Sequence, residues 1–130
     1  MKEVYEFLKK AGTFYLATVD GDQPRVRPFG AINEYNDRLY LITSNKKDVY
    51  AQLKANPKCE ICACLGVQWL RIEAELAEDD DRAARVAMLE AYPSLSSMYS
   101  PDDGKMTVLC LKNAVATLSS FTSAPIVSKF

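Results

Sequence analysis

The sequence predicts a mainly β protein, in which a small antiparallel β-barrel of about seven short strands carries peripheral helices. Most segments either alternate apolar and polar residues or are rich in β-branched and aromatic residues, which is typical of strands. Three other segments have helical spacing, and the connections early in the chain have hairpin length, which favours antiparallel pairing. The 130 residues are expected to form one domain, 1–130, with its own core.

The first third of the chain is predicted to form a helix and three strands. Val4 and Leu8 lie about one helical turn apart, and Gly12 provides a helix end. TFYLATVD is rich in β-branched and aromatic residues, and GDQP then supplies a turn. The second and third strands are expected to be neighbours in the sheet. The predicted elements are a helix over residues 2–11, a strand over 13–20, a second strand over 25–35 and a third over 38–44.

The remainder of the chain is predicted to alternate helices with strand pairs. NKKDVYAQLKANP has a helical apolar face and ends at Asn56-Pro57, because proline cannot continue a helix. DDDRAARVAMLEAYP begins with acidic residues, which suit the positive end of a helix dipole, and Pro93 closes it. The predicted elements are a helix over 45–56, strands over 58–66 and 67–78, a helix over 79–92, a polar loop over 94–105 and strands over 106–113 and 114–121.

The composition argues against several classes of partner. The chain has 16 Lys+Arg and 17 Asp+Glu residues and a net charge of −1, so no overall field attracts nucleic acid or an anionic membrane. No apolar run approaches the ~18 residues of a membrane span, and the opening MKEVYEFLKK lacks the apolar core of a signal peptide. A cytoplasmic protein is therefore expected.

Four cysteines raise the question of a metal or a disulfide. CEIC has C-x-x-C spacing, but it lies in an apolar strand, where residues three apart point to opposite faces. No second pair and no histidine completes a metal site. The thiols are therefore interpreted as small buried hydrophobic side chains in a reducing compartment, and no metal is expected. They are Cys59, Cys62, Cys64 and Cys110.

The segment PRVRPFG places two cations on one face of a predicted strand. Arg25, Arg27 and Phe29 project from one face, whereas Val26 and Pro28 lie on the other. A proline cannot donate to a ladder, so the segment is expected at a sheet edge, where backbone groups are free to meet a ligand. The alternative is an exposed edge strand whose arginines pair with surface carboxylates.

A second cationic cluster ends the third strand. TSNKK, residues 43–47, brings hydroxyls, an amide and two lysines to the unpaired N–H groups of a helix start, which is the chemistry that a phosphate monoester needs. Because the second and third strands are expected to be neighbours, Arg27 and this turn are predicted to converge on one anion. The alternative is an ordinary helix start followed by solvated lysines.

A third candidate element is the strand QWLRIEA, which carries Trp69, the single tryptophan of the chain. Its aromatic plane, together with the Gln68 amide and the Arg71 guanidinium, suits a flat heteroaromatic ligand. The alternative is a core tryptophan beside a surface arginine.

Together these segments resemble a known family. FYLATVDGDQPRVRPFG, LYLITSNKKDVYAQLKANP and QWLRIEAEL are similar in order and spacing to the pyridoxamine-5′-phosphate-oxidase-like FMN-binding split barrels, and most of all to their small Nim (nitroimidazole-resistance) type. The resemblance covers nearly the whole chain. It implies a split antiparallel β-barrel that forms a homodimer, with FMN bound at the subunit interface.

The resemblance also implies which residues bind the cofactor. The arginine of the second strand and the polar turn after the third hold the phosphate, the flavin ring lies along both strands, and the partner chain contributes the strand with the tryptophan. The usual basic pair of the family falls at Asp48 and Val49, two residues after the lysines of this chain. Which lysine contacts the phosphate therefore stays open. The implied cofactor-binding residues are Arg25, Val26, Arg27, Pro28, Phe29, Ile42, Thr43, Ser44, Asn45, Lys46, Lys47, Gln68, Trp69 and Arg71.

We expect an FMN-dependent oxidoreductase that reduces a small organic acceptor with electrons from NAD(P)H or another reductant. True pyridoxamine-phosphate oxidases end in a basic, tryptophan-containing segment, whereas this chain ends in IVSKF, so that activity is not expected. The lack of histidine disfavours histidine-ligated haem and a histidine acid or base. The alternatives are a flavin-binding electron carrier and a dimer without cofactor. The sequence also leaves open the acceptor, the catalytic residues and a deazaflavin in place of FMN.

Overall fold

The computed structural model describes residues 1–130 and consists of an antiparallel sheet with helices on its periphery. None of the helices has the length and apolar character that crossing a membrane requires. The helices are α1 (Lys2–Ala11), α2 (Asp48–Ala55) and α3 (Arg82–Ala91), and α3 is followed by a 3-10 helix over Pro93–Ser97. The strands are β1 (Phe14–Asp20), β2 (Gln23–Phe29), β3 (Ile32–Tyr35), β4 (Arg38–Ser44), β5 (Lys58–Leu65), β6 (Gln68–Glu78), β7 (Met106–Ser120) and β8 (Ile126–Lys129).

The strands follow the order β2-β1-β5-β6-β7-β4-β3, and β8 pairs with β7 beside this path. β2 and β3 therefore lie at opposite ends of the order, although Gly30 and Ala31 alone separate them in the chain. The sheet must curl until its two ends meet at this link, yet β2 and β3 form no ladder with each other. This arrangement is a split antiparallel β-barrel, which confirms the predicted mainly β fold with peripheral helices.

The barrel interior holds the main hydrophobic core. Along β1, Phe14 and Leu16 are fully buried, whereas Tyr15 between them is 50% exposed, as the two-residue period of a strand requires. Helices α1 and α2 cover this core with their buried apolar residues. A smaller cluster lies between α3 and strands β4 and β7, with Met88 fully buried in it. The two clusters fix the positions of β1, β4 and α2, which surround the candidate site.

The predicted second strand, residues 25–35, is two strands in the structure. β2 pairs with β1, and β3 pairs with β4. The expected pairing with the third strand is therefore right for Ile32–Tyr35 and wrong for the half that carries the arginines. The physical reason is barrel closure, which brings the first and last strands of the sheet order together. The continuous segment 25–35 therefore contributes one strand to each end of the order. The edge position expected from Pro28 is confirmed, because β2 ends the sheet order.

The two strands predicted over 106–113 and 114–121 form the single strand β7. Asn113, predicted as the last residue of the first of these strands, adopts a φ of 52° within β7, and the β6–β7 ladder shifts register between Glu73 and Glu75. Such a bulge bends a strand without ending it. β7 consequently reaches β4 with its first half and β8 with its second. The short strand β8 was not predicted.

The cysteines are all free thiols, but they are not uniformly buried. Cys110 is buried, Cys59 and Cys62 are half-buried, and Cys64 is exposed. The expectation of a buried side chain is thus confirmed for Cys110 and wrong for Cys64. The reason is strand alternation, because Cys64 lies opposite Trp69 on the outward face of β5.

Candidate cofactor site

Arg27 projects from the edge strand β2 on the side of the barrel core. In the ladder with β1 it lies opposite the buried Leu16, and the next pair on the same face joins Phe29 to the buried Phe14. Residues directly opposite in an antiparallel pair share a face. Val26, on the other face, is 68% exposed. A cation therefore stands at the rim of an apolar interior.

Three protein acceptors hold the Arg27 guanidinium. Nη1 donates to the Leu16 carbonyl oxygen at 3.1 Å and to Thr18 Oγ1 at 2.7 Å, and Nη2 donates to Gln52 Oε1 at 2.7 Å. The Thr18 hydroxyl donates to the same Gln52 oxygen at 2.6 Å. Thr18 lies on β1 and Gln52 on α2. The guanidinium thus ties the edge strand to a neighbouring strand and a helix.

Two N–H groups of Arg27 have no protein acceptor. A guanidinium carries about five N–H donors, and the three bonds above use both of those on Nη1 and one on Nη2. The remaining donors, on Nε and Nη2, lie along one edge of the planar group and form a fork that matches a carboxylate or a phosphate. Burial lowers the pKa of Arg27, and the neighbouring Arg25 lowers it further. Arginine nevertheless keeps its charge in proteins.

The segment 43–47 comprises the end of β4 and the link to α2, and hydrogen bonds hold it against the rest of the protein. Thr43 and Ser44 are buried, and Ser44 Oγ accepts a hydrogen bond from the Lys46 amide at 3.1 Å. Asn45 is tied to the loop before β7, because its Nδ2 donates to the Gly104 carbonyl oxygen at 2.9 Å. Lys47 precedes α2 and makes no side-chain capping bond. The first N–H groups of α2 therefore keep their capacity to bind an anion.

Two cavities meet at Arg27. The first, of about 740 Å³, lies between the β1–β2 hairpin and α2, and the second, of about 430 Å³, lies between the β2–β3 link, the end of β4 and the 3-10 helix. Arg27, Lys47 and Val49 line both cavities, whereas Lys46 lines neither. These volumes lie in the range of small-molecule sites. The structure thus brings the two predicted cationic clusters to one place, although their strands are not paired.

The second cavity has an apolar wall and one hydroxyl without a partner. Phe29, Ile42, Leu95 and Met98 are among its lining residues. Thr43 also lines it, and Thr43 Oγ1 is buried with no hydrogen-bond partner. A buried hydroxyl without a partner is costly in a folded protein unless a ligand satisfies it. The donor fork, the lysine and this hydroxyl fit a phosphorylated ligand with an apolar ring system.

A comparison with known protein families and structures identifies the family of this chain. The family model described as pyridoxamine 5′-phosphate oxidase matches residues 1–119. The crystal structure of a NimC/NimA family protein from Clostridium acetobutylicum is 46% identical, with a TM-score of 0.97 over 100% of this chain and 92% of that chain. The chain belongs to the NimC/NimA group of the pyridoxamine 5′-phosphate oxidase-like family. No functionally curated protein matches it.

More distant solved structures share the fold. A pyridoxamine 5′-phosphate oxidase-related, FMN-binding protein from Nostoc punctiforme is 18% identical, with a TM-score of 0.65 over 99% of this chain and 95% of that chain. A heme-binding protein from Mycobacterium smegmatis is 13% identical, with a TM-score of 0.74 over 94% of this chain and 57% of that chain. At these identities the likeness shows the fold and not the ligand.

The resemblance assigned a third group, Gln68, Trp69 and Arg71, to the partner chain, and within one chain of this family member it lies outside both cavities. Trp69 packs on Phe121 with ring centroids 5.0 Å apart. Arg71 pairs with Glu60 at 2.6 Å. Their role stays a prediction about a dimer.

Arg25 lines the first cavity, where its Nε lies 3.3 Å from an Asp20 carboxylate oxygen. This exposed ion pair is the arrangement that the alternative interpretation of the arginines described. Arg25 and Arg27 therefore differ: Arg25 pairs with a surface carboxylate, whereas Arg27 has two N–H groups without a protein acceptor.

Two groups of residues at the site were missed by the sequence interpretation. The first is Thr18 with Gln52. Thr18 follows the apolar Phe14 and Leu16 at two-residue spacing, and this polar side chain on the buried face of the strand could have indicated a site. The second is the wall formed after α3, by the last residue of the predicted helix 79–92 and by the segment predicted as a polar loop, and nothing in the local pattern indicates which cavity this wall covers. This wall contains Tyr92, Ser94, Leu95, Met98 and Tyr99.

Proposed function

We propose that this protein binds FMN and acts as an oxidoreductase that reduces a small organic acceptor. The observation that carries the proposal is the free two-donor edge of Arg27 beside Lys47, at the junction of two cavities of which one has an apolar wall. The family membership supports it, since an FMN-binding protein shares the fold. FMN combines a phosphate with a flat ring that exchanges electrons with organic molecules.

Polar and apolar residues of the site would bind different parts of FMN. Arg27, Lys47 and the Thr43 hydroxyl would hold the phosphate, because they supply charge-assisted hydrogen bonds and a donor that is otherwise unsatisfied. Phe29 and Ile42 would pack against the ring and exclude water from it. The exposed backbone edge of β2 has no strand partner beyond it, so its N–H and C=O groups are available to the polar edge of the ring.

The chain supplies position and electrostatics and no obvious acid or base. It contains no histidine. Burial raises the pKa of Tyr99 in the second cavity, and Asp103 raises it further. Its hydroxyl is therefore protonated at neutral pH and can donate a hydrogen bond to an acceptor molecule in the cavity.

A second copy of the chain is the proposed partner. Large apolar and aromatic groups are exposed on β1, on β2 and next to β6: Tyr15 is 50% exposed, Val26 is 68% exposed, and Phe121, which packs on Trp69, is 84% exposed. Large exposed apolar groups that cluster are typical of interfaces. In such a dimer the partner's β6 would bring a tryptophan and an arginine to the cofactor. Sedimentation as a monomer at micromolar concentration would contradict this arrangement.

The purified protein tests the proposal directly. We expect a yellow protein whose absorption spectrum shows flavin bands and whose released ligand has the mass of FMN. A deazaflavin differs in mass, and a haem gives a Soret band, so either result would replace FMN. Reduction of the bound flavin by NADH or NADPH and reoxidation by a nitroaromatic compound would support turnover. Bound FMN without such a cycle would instead support the electron carrier.

A further inference from the structure

The hydrogen bonds around Arg27 form a closed set in which one oxygen has a central place. Gln52 Oε1 accepts from Arg27 Nη2 at 2.7 Å and from the Thr18 hydroxyl at 2.6 Å, and the Thr18 oxygen accepts from Arg27 Nη1 at 2.7 Å. The three side chains come from β2, β1 and α2. Each bond fixes the direction of the other two.

The orientation of the Gln52 amide follows from the chemistry of its neighbours. A guanidinium can donate but cannot accept, so the amide oxygen and not the amide nitrogen must face Arg27. The same oxygen then faces Thr18, whose hydroxyl has to donate toward Gln52 and accept from Arg27. The reversed amide would place two donors against each other. The set therefore has one satisfied arrangement.

That arrangement decides which edge of Arg27 is left for a ligand. The acceptors Thr18 and Gln52 occupy the end of the guanidinium, where Nη1 and Nη2 lie side by side. The edge formed by Nε and Nη2 is left without protein acceptors. Without these two acceptors, the side chain could rotate and offer a different edge, because an arginine side chain has many rotamers of similar energy.

We propose that Thr18 and Gln52 are positioning residues that aim the Nε–Nη2 edge of Arg27 at the ligand's phosphate, and that position 52 must be uncharged. This proposal rests on the proposed function. A glutamate at 52 has nearly the same shape, but its carboxylate would pair with Arg27 and repel a phosphate of charge about −1.5 to −2. A neutral amide holds the guanidinium without cancelling its charge.

Substitutions of Thr18 distinguish a positioning role from direct contact with the ligand. It is 3% exposed and lines neither cavity, so its effect on a ligand must pass through its hydrogen-bond partners. Gln52 lines the first cavity and is the less specific probe. Thr18→Val keeps the shape of the side chain and removes the hydroxyl, whereas Thr18→Ser keeps the hydroxyl.

The experiment titrates ligand-free protein with FMN and with riboflavin, which lacks the phosphate, and follows flavin fluorescence. We expect Thr18→Val and Gln52→Leu to weaken FMN binding by about 5- to 30-fold, which is less than the full loss of a hydrogen bond to a charged group, because a misdirected Arg27 keeps its charge near the phosphate. Gln52→Glu should weaken it more. Riboflavin binding should change by less than about twofold in each, and Thr18→Ser should bind FMN as the wild type does. Gln23→Leu, at the exposed start of β2, is the matched control.

A double-mutant cycle adds a second readout, which remains usable if one variant folds poorly. In an Arg27→Ala background, Thr18→Val should have no further effect on FMN affinity, since the side chain that it positions is absent. Additive effects would overturn the proposal. So would unchanged FMN affinity in Thr18→Val and Gln52→Leu, or an equal loss for FMN and riboflavin. A wild type that binds no FMN would refute the proposed function itself, which is a different result.

Discussion

Replacing Arg27 by alanine tests the phosphate site most simply. The substitution removes the two N–H groups that have no protein acceptor and the only cation held between β1, β2 and α2 by hydrogen bonds. It leaves the Thr18–Gln52 bond intact, so the surrounding structure keeps a satisfied pair. We therefore expect the folded protein to persist with a weakened site.

The magnitude follows from the number and exposure of the lost bonds. A hydrogen bond to a charged group contributes about 1.5 to 3 kcal/mol in a protein, but this site opens to water, and Lys47 would remain as a second cation for the phosphate. We expect a total loss of about 1 to 3 kcal/mol in the free energy of FMN binding, which corresponds to roughly a 5- to 150-fold rise in Kd. Arg27→Lys should recover part of it, because an ammonium keeps the charge and loses the fork.

The assay is equilibrium titration of ligand-free protein with FMN, with thermal unfolding as a check on folding. Arg38→Ala is the matched control, since Arg38 begins β4 at the end opposite Thr43 and is exposed. An FMN dissociation constant that is the same in Arg27→Ala and in the wild type would show that Arg27 does not bind the phosphate. An equal weakening in Arg38→Ala would attribute the effect to net charge and not to the site.

Three further predictions concern the residues around the site. Lys47→Ala should raise the Kd for FMN, whereas Lys46→Ala should not, because Lys47 lines both cavities and Lys46 lines neither. A larger rise in Kd for Lys46→Ala than for Lys47→Ala would contradict the assignment of Lys47 to the phosphate. Thr43→Val should stabilise the ligand-free protein by about 1 kcal/mol by removing a buried hydroxyl without a partner and should weaken FMN binding; a less stable variant in urea unfolding would count against it. Backbone amides of Met106 and Ser100 lower the pKa of Asp103, so its contribution to stability is present above about pH 4 and is lost as the pH falls through its folded-state pKa. The difference in unfolding free energy between wild type and Asp103→Ala should therefore shrink from pH 7 to pH 3, and a constant difference would show that ionisation is irrelevant.

The fold could be predicted where local chemistry decides it. Asn56-Pro57 ends α2 as expected, and Asp81 caps α3 by accepting from the Ala83 amide at 3.0 Å. The division of residues 25–35 into β2 and β3 could not be predicted in this way, since each half looks extended and barrel closure alone assigns them different partners. The continuous β7 was missed for a related reason, because the turn-like Asn113 lies within a bent strand.

The site could be predicted in part. The one-sided pattern of Arg25 and Arg27 and the polar turn at 43–47 were visible, and the structure gathers Arg27, Thr43 and Lys47 at one cavity. The expected reason for this proximity was direct pairing of the second and third strands. That reason was wrong for the half that carries Arg27, because β2 pairs with β1. Gln52 and the wall after α3 depend on contacts between residues far apart in the chain, such as the 25 positions between Arg27 and Gln52, and a single sequence carries no signal for such a contact.

A crystal structure of the protein with FMN is the most direct test of the proposed phosphate site. We expect the phosphate to contact the Nε–Nη2 edge of Arg27 and the segment 43–47, with the ring beside Phe29 in the second cavity. A phosphate bound elsewhere, with Arg27 still turned to Thr18 and Gln52 and its free edge in water, would contradict this expectation.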